Sequence, residues 1–207
     1  MIIIFDNNMG NISSVANALQ KLNVDFIISK HKKEIIKAKS IIFPGVGAFP
    51  QAIENLKKSS MLQTLKKILI ENKTPYLGIC LGMQILFEES DEMKPTNGLG
   101  ILQGSVKKIK KHKDFLVPHV GWNDLAVNKK NPLLKNINPS SKFYYDHSYY
   151  VNDNSSSGFA SLKDDKKITV GVWSNNILGV QFHPEKSQTN GLKLLRNFIN
   201  FSRDFKC

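Results

Sequence analysis

Cysteine and arginine are the scarce residues of this chain, and each scarcity narrows what it can do. Two cysteines, Cys80 and Cys207, stand in 207 residues. A disulfide framework is not expected, and a reducing cytoplasm is the natural setting. The 29 basic residues outnumber 17 acidic ones, for a net charge of +12, yet only Arg196 and Arg203 are arginine. Phosphates and base edges are read mainly by arginine forks, so no nucleic-acid partner is expected. The densest basic run, Lys107 to Lys113, has few aromatic neighbours and reads as a solvated hairpin. Long hydrophobic runs are lacking too. The apolar start, Met1 to Phe5, has no basic lead and is too short for a signal peptide or a membrane span, so it reads as a first buried strand.

A hydrophobic content of 41% is ample for a core, and one domain over 1–207 is expected. In the first half, short apolar runs alternate with helical patterns. The strands are Ile2 to Phe5, Asp25 to Ile28, Ser40 to Phe43 and Pro75 to Ile79; the helices are Ile12 to Leu22 and Met61 to Ile70. That order predicts an α/β fold with a doubly wound, mainly parallel sheet and flanking helices. From Gly104 onward, candidate strands Ser105 to Lys110, Phe143 to Val151, Phe159 to Leu162, Ile168 to Trp173 and Ile177 to Phe182 predict antiparallel additions. A last helix, Gly191 to Phe201, packs back on the sheet. The polar run 152–158 is expected as an exposed loop.

Within Tyr76-Leu77-Gly78-Ile79-Cys80-Leu81-Gly82-Met83-Gln84 a single thiol lies between two glycines where an apolar strand meets an amphipathic helix. A Gly-x-nucleophile-x-Gly turn forces a sharp bend, and glycines at 78 and 82 let neighbouring backbone come close. The bend exposes the sulfur above the sheet edge, at a helix N-terminus whose free N–H groups favour an anion. The competing reading is a buried structural cysteine.

Near the end of a predicted strand stands Gln181-Phe182-His183-Pro184-Glu185-Lys186-Ser187. Pro184 pushes His183 into extended backbone, where side chains two apart leave on the same side. His183 and Glu185 then point together, and with Cys80 they make a nucleophile, a base and its orienter; alone, the pair also reads as an exposed histidine and a solvated glutamate. Loops 7–11 and 43–49 follow the first and third strands at the sheet edge where such folds place their sites. Gly45, Val46 and Gly47 are the candidates for a second oxyanion donor, or else for a plain tight turn.

Together, Pro44-Gly45-Val46-Gly47, the Cys80 elbow and His183-Pro184-Glu185 resemble the class I (triad) glutamine amidotransferases. Further segments, Met9-Gly10-Asn11, Pro118-His119-Val120-Gly121-Trp122-Asn123, His147-Ser148-Tyr149-Tyr150 and 181–187, look like the glutaminase subunits of imidazole glycerol phosphate synthases, and they span nearly the whole chain. The resemblance implies hydrolysis of L-glutamine with Cys80 as nucleophile, His183 as proton shuttle and Glu185 as its orienter. It implies an oxyanion hole from the Leu81 N–H and the Gly45-Val46-Gly47 loop, and glutamine bound by Gln84, Ser148 and Tyr149. It implies no cofactor and no metal. The implied partner is a (β/α)8-barrel cyclase subunit that receives the ammonia in histidine biosynthesis, docked against Asn11, Trp122, Asn123 and Lys186. Departures from the family pattern fall at Asn7-Asn8 and Asp146. A paralogous subunit feeding another synthase, such as one that amidinates surface sugars, and a partner-independent cysteine hydrolase are the alternative readings.

Overall fold

The computed structural model describes residues 1–111 and 116–205. Cys207 and the end of the basic run, His112 and Lys113, lie outside the described residues. The first half alternates strands with helices: β1 (Ile2–Phe5), α1 (Ile12–Lys21), β2 (Phe26–Ser29), α2 (Lys32–Ile35), β3 (Ser40–Gly45), α3 (Phe49–Lys58), α4 (Leu62–Ile70) and β4 (Tyr76–Cys80). The expected helices are α1 and α4, and α2 and α3 are additional ones. There follow α5 (Leu81–Gln84), β5 (Glu89–Ser90), β6 (Thr96–Asn97), β7 (Gly104–Lys108), β8 (His119–Val127), β9 (Lys142–His147), β10 (Tyr149–Asp153), β11 (Gly158–Leu162), β12 (Thr169–Ser174), β13 (Ile177–Val180) and α6 (Gln188–Asp204).

The sheet path runs β2-β1-β3-β4-β13-β12-β10-β7-β5-β6. From β2 to β13 every neighbouring pair is parallel. β12 and β10 then add antiparallel, while β11, β8 and β9 extend from β12 as a side ladder. Strand alternation sorts the core into two faces. Ile2 and Ile4 join α1 and α6 in one apolar cluster, whereas Ile3 and Phe5 join α3 and α4 in the other. Helices therefore cover both faces, and the chain switches direction between β1 and β3, the place where doubly wound sheets open a crevice at their carboxyl edge.

Several expectations need correction. The segment 177–182 is not an antiparallel addition alone: β13 is antiparallel to β12 but parallel to β4. A tight reversal at Asn175-Asn176 returns the chain into the centre of the sheet. The expected strand 143–151 divides at Ser148 into β9, paired with β8, and β10, paired with β7 and β12. In the 152–158 loop Ser157 is buried; Asp153 gathers Ser155, Ser157 and Gly158 around its carboxylate.

Candidate active site

Three adjacent parallel strands end at one place. Gly45 of β3 lies opposite Cys80 of β4, and β13, on the other side of β4, runs out into Gln181 and His183. Cys80 itself has φ 53° and ψ −108°, a backbone state that costs a non-glycine residue about 1 to 3 kcal/mol and survives only where its surroundings enforce it. Here the enforcement is close packing. A Cβ on Gly82 would stand 2.0 Å from the Phe43 carbonyl oxygen, and one on Gly78 would stand 2.3 Å from that of Gly82. The Tyr76 hydroxyl donates to the same Gly82 carbonyl at 2.7 Å.

Two sequence expectations fail at this elbow. The following helix is a single turn, Leu81–Gln84, buried throughout rather than amphipathic; a macrodipole built from one turn is small, so anion stabilisation falls to the individual N–H groups. The sulfur is also not exposed. Cys80 is 6% accessible, because the wall from Asp146 to Tyr149 faces it across a pocket of about 210 Å³.

His183 is held by its backbone first. Its N–H donates to the Tyr144 carbonyl at 2.8 Å, and its own carbonyl accepts from the Ser187 hydroxyl at 2.6 Å. Ser187 Oγ in turn accepts from the Tyr144 N–H. Its ring Nδ1 lies 2.8 Å from Glu185 Oε1, both side chains almost wholly buried. The two do point together, but residues 184–186 form a 3₁₀ turn rather than continuing the strand, since Pro184 suits the first position of a helical turn. Nε2 is buried and makes no well-formed hydrogen bond. Burial works to lower the pKa of His183, but the Cys80 thiol and the Glu185 carboxylate outweigh it and raise it to about 10. The site therefore favours an imidazolium beside the sulfur.

Around the thiol, the pocket is lined by Val46, Gly47, Gln84, Ser148 and Tyr149, all candidates from sequence. Gly45 stands in register with Cys80, and Leu81 is the next residue in the chain. Gly47 takes φ +104° and its Cα faces Met9, so the loop after β1 packs against the loop after β3. Gln84 donates through Nε2 to the Tyr149 carbonyl at 3.1 Å and to Gln181 Oε1 at 3.0 Å. With both donors so used, its Oε1 is what remains for a ligand.

Sequence reasoning missed Glu92 and Gln181. The Glu92 carboxylate reaches the pocket from the segment between β5 and β6 and accepts from the Phe49 N–H, at the start of α3, at 2.8 Å. Burial raises its pKa. Gln181, fully buried, donates from Nε2 to Cys80 Sγ at 3.4 Å. A polar residue closing an apolar strand, two before His183, was the available signal.

The expected docking residues are only partly assembled. Trp122, 44% exposed, meets Tyr144 edge-on with ring centres 6.0 Å apart, and Lys186 Nζ lies over the same Tyr144 ring at 5.3 Å. Asn123 is turned elsewhere: neighbouring strand residues face opposite ways, and its amide donates to Asp164 at 2.9 Å. Asn11 precedes α1 without capping it through its side chain. Asp146 lines the pocket. A larger cavity of about 570 Å³, lined by Leu125, Val127, Trp173 and Phe201 among others, is apolar and brings no nucleophile or histidine together.

Residues 3–201 match the family Glutamine amidotransferase class-I. The chain belongs to that family. It is 45% identical over 199 residues, 96% of this chain and 97% of the relative, to the protein of Caldanaerobacter subterraneus named imidazole glycerol phosphate synthase subunit HisH. It is 40% identical to subunit HisH 2 of Vibrio vulnificus over 97% of this chain and 94% of that one. Among solved structures, a glutamine amidotransferase superposes with a TM-score of 0.77 at 19% identity, covering 98% of this chain and all of that one. PurLQS from Thermotoga maritima gives 0.72 at 18%, with 97% of each chain covered. These two likenesses bear on the fold, and the expected α/β amidotransferase architecture is the one observed. No helix among the described residues is long and apolar enough to cross a membrane.

Proposed function

We propose that this class I amidotransferase is the glutaminase subunit of an imidazole glycerol phosphate synthase, acting in histidine biosynthesis. The observation that carries the chemistry is the meeting of Cys80, His183 and Glu185 beside a pocket of amino-acid size. The names of relatives alike over nearly the whole length support the acceptor pathway.

Cys80 Sγ attacks the carboxamide carbon of glutamine. The carbonyl oxygen becomes an oxyanion held by the Leu81 N–H and by an N–H of the Gly45-Val46-Gly47 loop, each donor worth roughly 3 to 4 kcal/mol. The C–N bond breaks as His183 gives its proton to the departing amine, leaving a glutamyl thioester and ammonia. Water, giving a proton to His183, then attacks the thioester carbon, and the C–S bond breaks to release glutamate and restore the sulfur. Glu185 keeps the imidazole in place and offsets its charge throughout. At the other end of the substrate, Glu92 supplies the anion that an α-ammonium group requires, and Gln84 offers an acceptor.

Ammonia in neutral water is largely ammonium and no nucleophile, so a shielded path to the acceptor is required. A (β/α)8-barrel cyclase subunit docked on the Trp122–Tyr144–Lys186 cluster supplies it. Aromatic residues with a neighbouring cation make effective interface anchors. The test is glutamate release with and without a purified cyclase subunit. Stimulation on mixing, with loss of affinity on the order of tenfold or more in Trp122→Ala, is expected. Absence of binding to any such cyclase overturns this acceptor, and binding to a different synthase replaces it. Peptide cleavage faster than glutamine hydrolysis by the isolated chain would make it a partner-independent cysteine hydrolase.

A further inference from the structure

A continuous line of hydrogen bonds connects β8 to the sulfur. His119 Nδ1 lies 3.0 Å from His147 Nε2, His147 Nδ1 lies 2.8 Å from the Tyr149 carbonyl, Gln84 bridges that carbonyl to Gln181 Oε1, and Gln181 Nε2 reaches Cys80 Sγ. The direction of each bond can be deduced. A backbone carbonyl only accepts, so His147 presents Nδ1–H to it and keeps Nε2 as an acceptor for the His119 Nδ1–H. By the same logic Gln84 must turn its NH₂ toward Tyr149. That NH₂ also faces Gln181, which must answer with oxygen and so turn its own NH₂ to the sulfur. One peptide carbonyl in the outer wall thus dictates which end of a buried amide meets the nucleophile.

We propose that Gln181 is a dedicated donor to the Cys80 sulfur, held in that orientation by the Tyr149 carbonyl through Gln84, and that it stabilises the anionic sulfur before attack. The proposal rests on Cys80 being the nucleophile of the glutaminase reading. An N–H aimed at sulfur favours the thiolate, and this interaction weakens once the sulfur is acylated and neutral, so it acts on the resting enzyme and on its regeneration. Because the donor is oriented from β9 and β10, a displacement of that wall by a docked partner is felt at the sulfur without any contact to it.

The test is the pH profile of Cys80 alkylation by iodoacetamide, followed by mass spectrometry of the Cys80 peptide in the full chain. The titratable groups facing the sulfur or its pocket are His183 and Glu185 after β13, Asp146 and His147 on β9, Tyr149 on β10 and Glu92 after β5. All stay in the variants, so differences between profiles report the amide. Gln181→Leu and Gln181→Met both remove the donor and add no titratable group; Gln84→Met leaves Gln181 present but unanchored. We expect the midpoint to rise in all three. Alkylation at pH 7 should fall about tenfold for the two position-181 variants and by a few-fold for Gln84→Met. A residue that only fills space would change the melting temperature and leave the midpoint alone, and a wild-type midpoint in a folded Gln181→Leu or Gln181→Met overturns the proposal. Should neither fold, the midpoint of Gln84→Met decides it in the same way. Alkylation needs neither glutamine nor partner, so a chain inactive with every cyclase would sink the glutaminase reading while leaving this result standing.

Discussion

On one side of the Cys80 pocket a buried histidine is held charged, and on the other a buried histidine is held neutral. His183 stands at the end of the parallel half of the sheet, its pKa raised to about 10 because two potential anions, Cys80 and Glu185, outweigh the cost of burial. His147 stands in the antiparallel wall, its pKa lowered to about 4 chiefly by burial, which the Tyr149 carbonyl only partly opposes, with His119 and His183 pressing in the same direction as burial. In the proposed mechanism the same side chain serves as a proton carrier in one place and a fixed tether in the other. What separates them is the partner of Nδ1: a carboxylate can balance an imidazolium, whereas a peptide carbonyl can orient the ring but cannot neutralise it. On that reading the parallel strand ends supply the reacting groups, and the antiparallel wall supplies geometry and cover.

The comparison breaks most sharply at the reacting side. Cys80→Ala removes the proposed nucleophile and leaves a smaller apolar group at a 6% accessible position. Glutamine hydrolysis in the presence of the cyclase is expected to drop about 10⁴-fold or more, with the urea midpoint nearly unchanged. Turnover close to wild type would mean that the chemistry lies elsewhere. The next largest effect is structural and sits one layer below. Gly82→Ala drives a methyl group to 2.0 Å from the Phe43 carbonyl oxygen, and backbone in the sheet centre cannot retreat cheaply. A stability loss of about 3 kcal/mol or more is expected in urea unfolding, against about 1 to 2 kcal/mol for the same change at Gly100, where no atom lies within 4 Å of the added carbon and only the strain of φ +59° is left. Equal losses at the two glycines would show that the elbow is not enforced by packing.

How much of this was legible in the sequence follows the same division. The parallel half was readable because its signals are local: Gly78-x-Cys80-x-Gly82 names its own bend, and His183-Pro184-Glu185 places two side chains together within three residues. The wall was not. β8 reads His-Val-Gly-Trp-Asn-Asp-Leu-Ala-Val and is half exposed for most of its length, so it lacks the apolar alternation that marks a strand, and Gly121, Asn123 and Asp124 argue against one. Glu92 comes to the pocket only because a short hairpin between β5 and β6 folds it back, a long-range event with no spacing to read. The burial of Cys80 is not legible for a related reason: residues 143–151 read as a strand, but nothing in their spacing shows that 146–149 fold across the sulfur. Asn123 was grouped with Trp122 by motif, yet alternation along the strand separates them.

The smallest effect distinguishes the two histidines directly. In the unfolded chain both titrate near 6.5. His147 is depressed in the folded state, so between pH 6.5 and about 4 the unfolded chain takes up a proton that the folded chain refuses, and stability falls as pH drops through that window. His183 is raised, so its contribution is fully present below pH 6.5 and is lost as pH climbs toward about 10. Replacing His147 by Asn, which keeps an N–H donor of shorter reach, should flatten the acid limb of the stability curve by on the order of 2 kcal/mol between pH 7 and 4. Replacing His183 by Gln should flatten the alkaline limb instead and soften the acid one only by the minor share that the His183 charge adds to the depression of His147. Urea unfolding of both variants across pH 4 to 10 reads the two limbs separately. If His147→Asn abolished the alkaline limb, or His183→Gln the acid one, then the charge states assigned to the two walls would have to be exchanged.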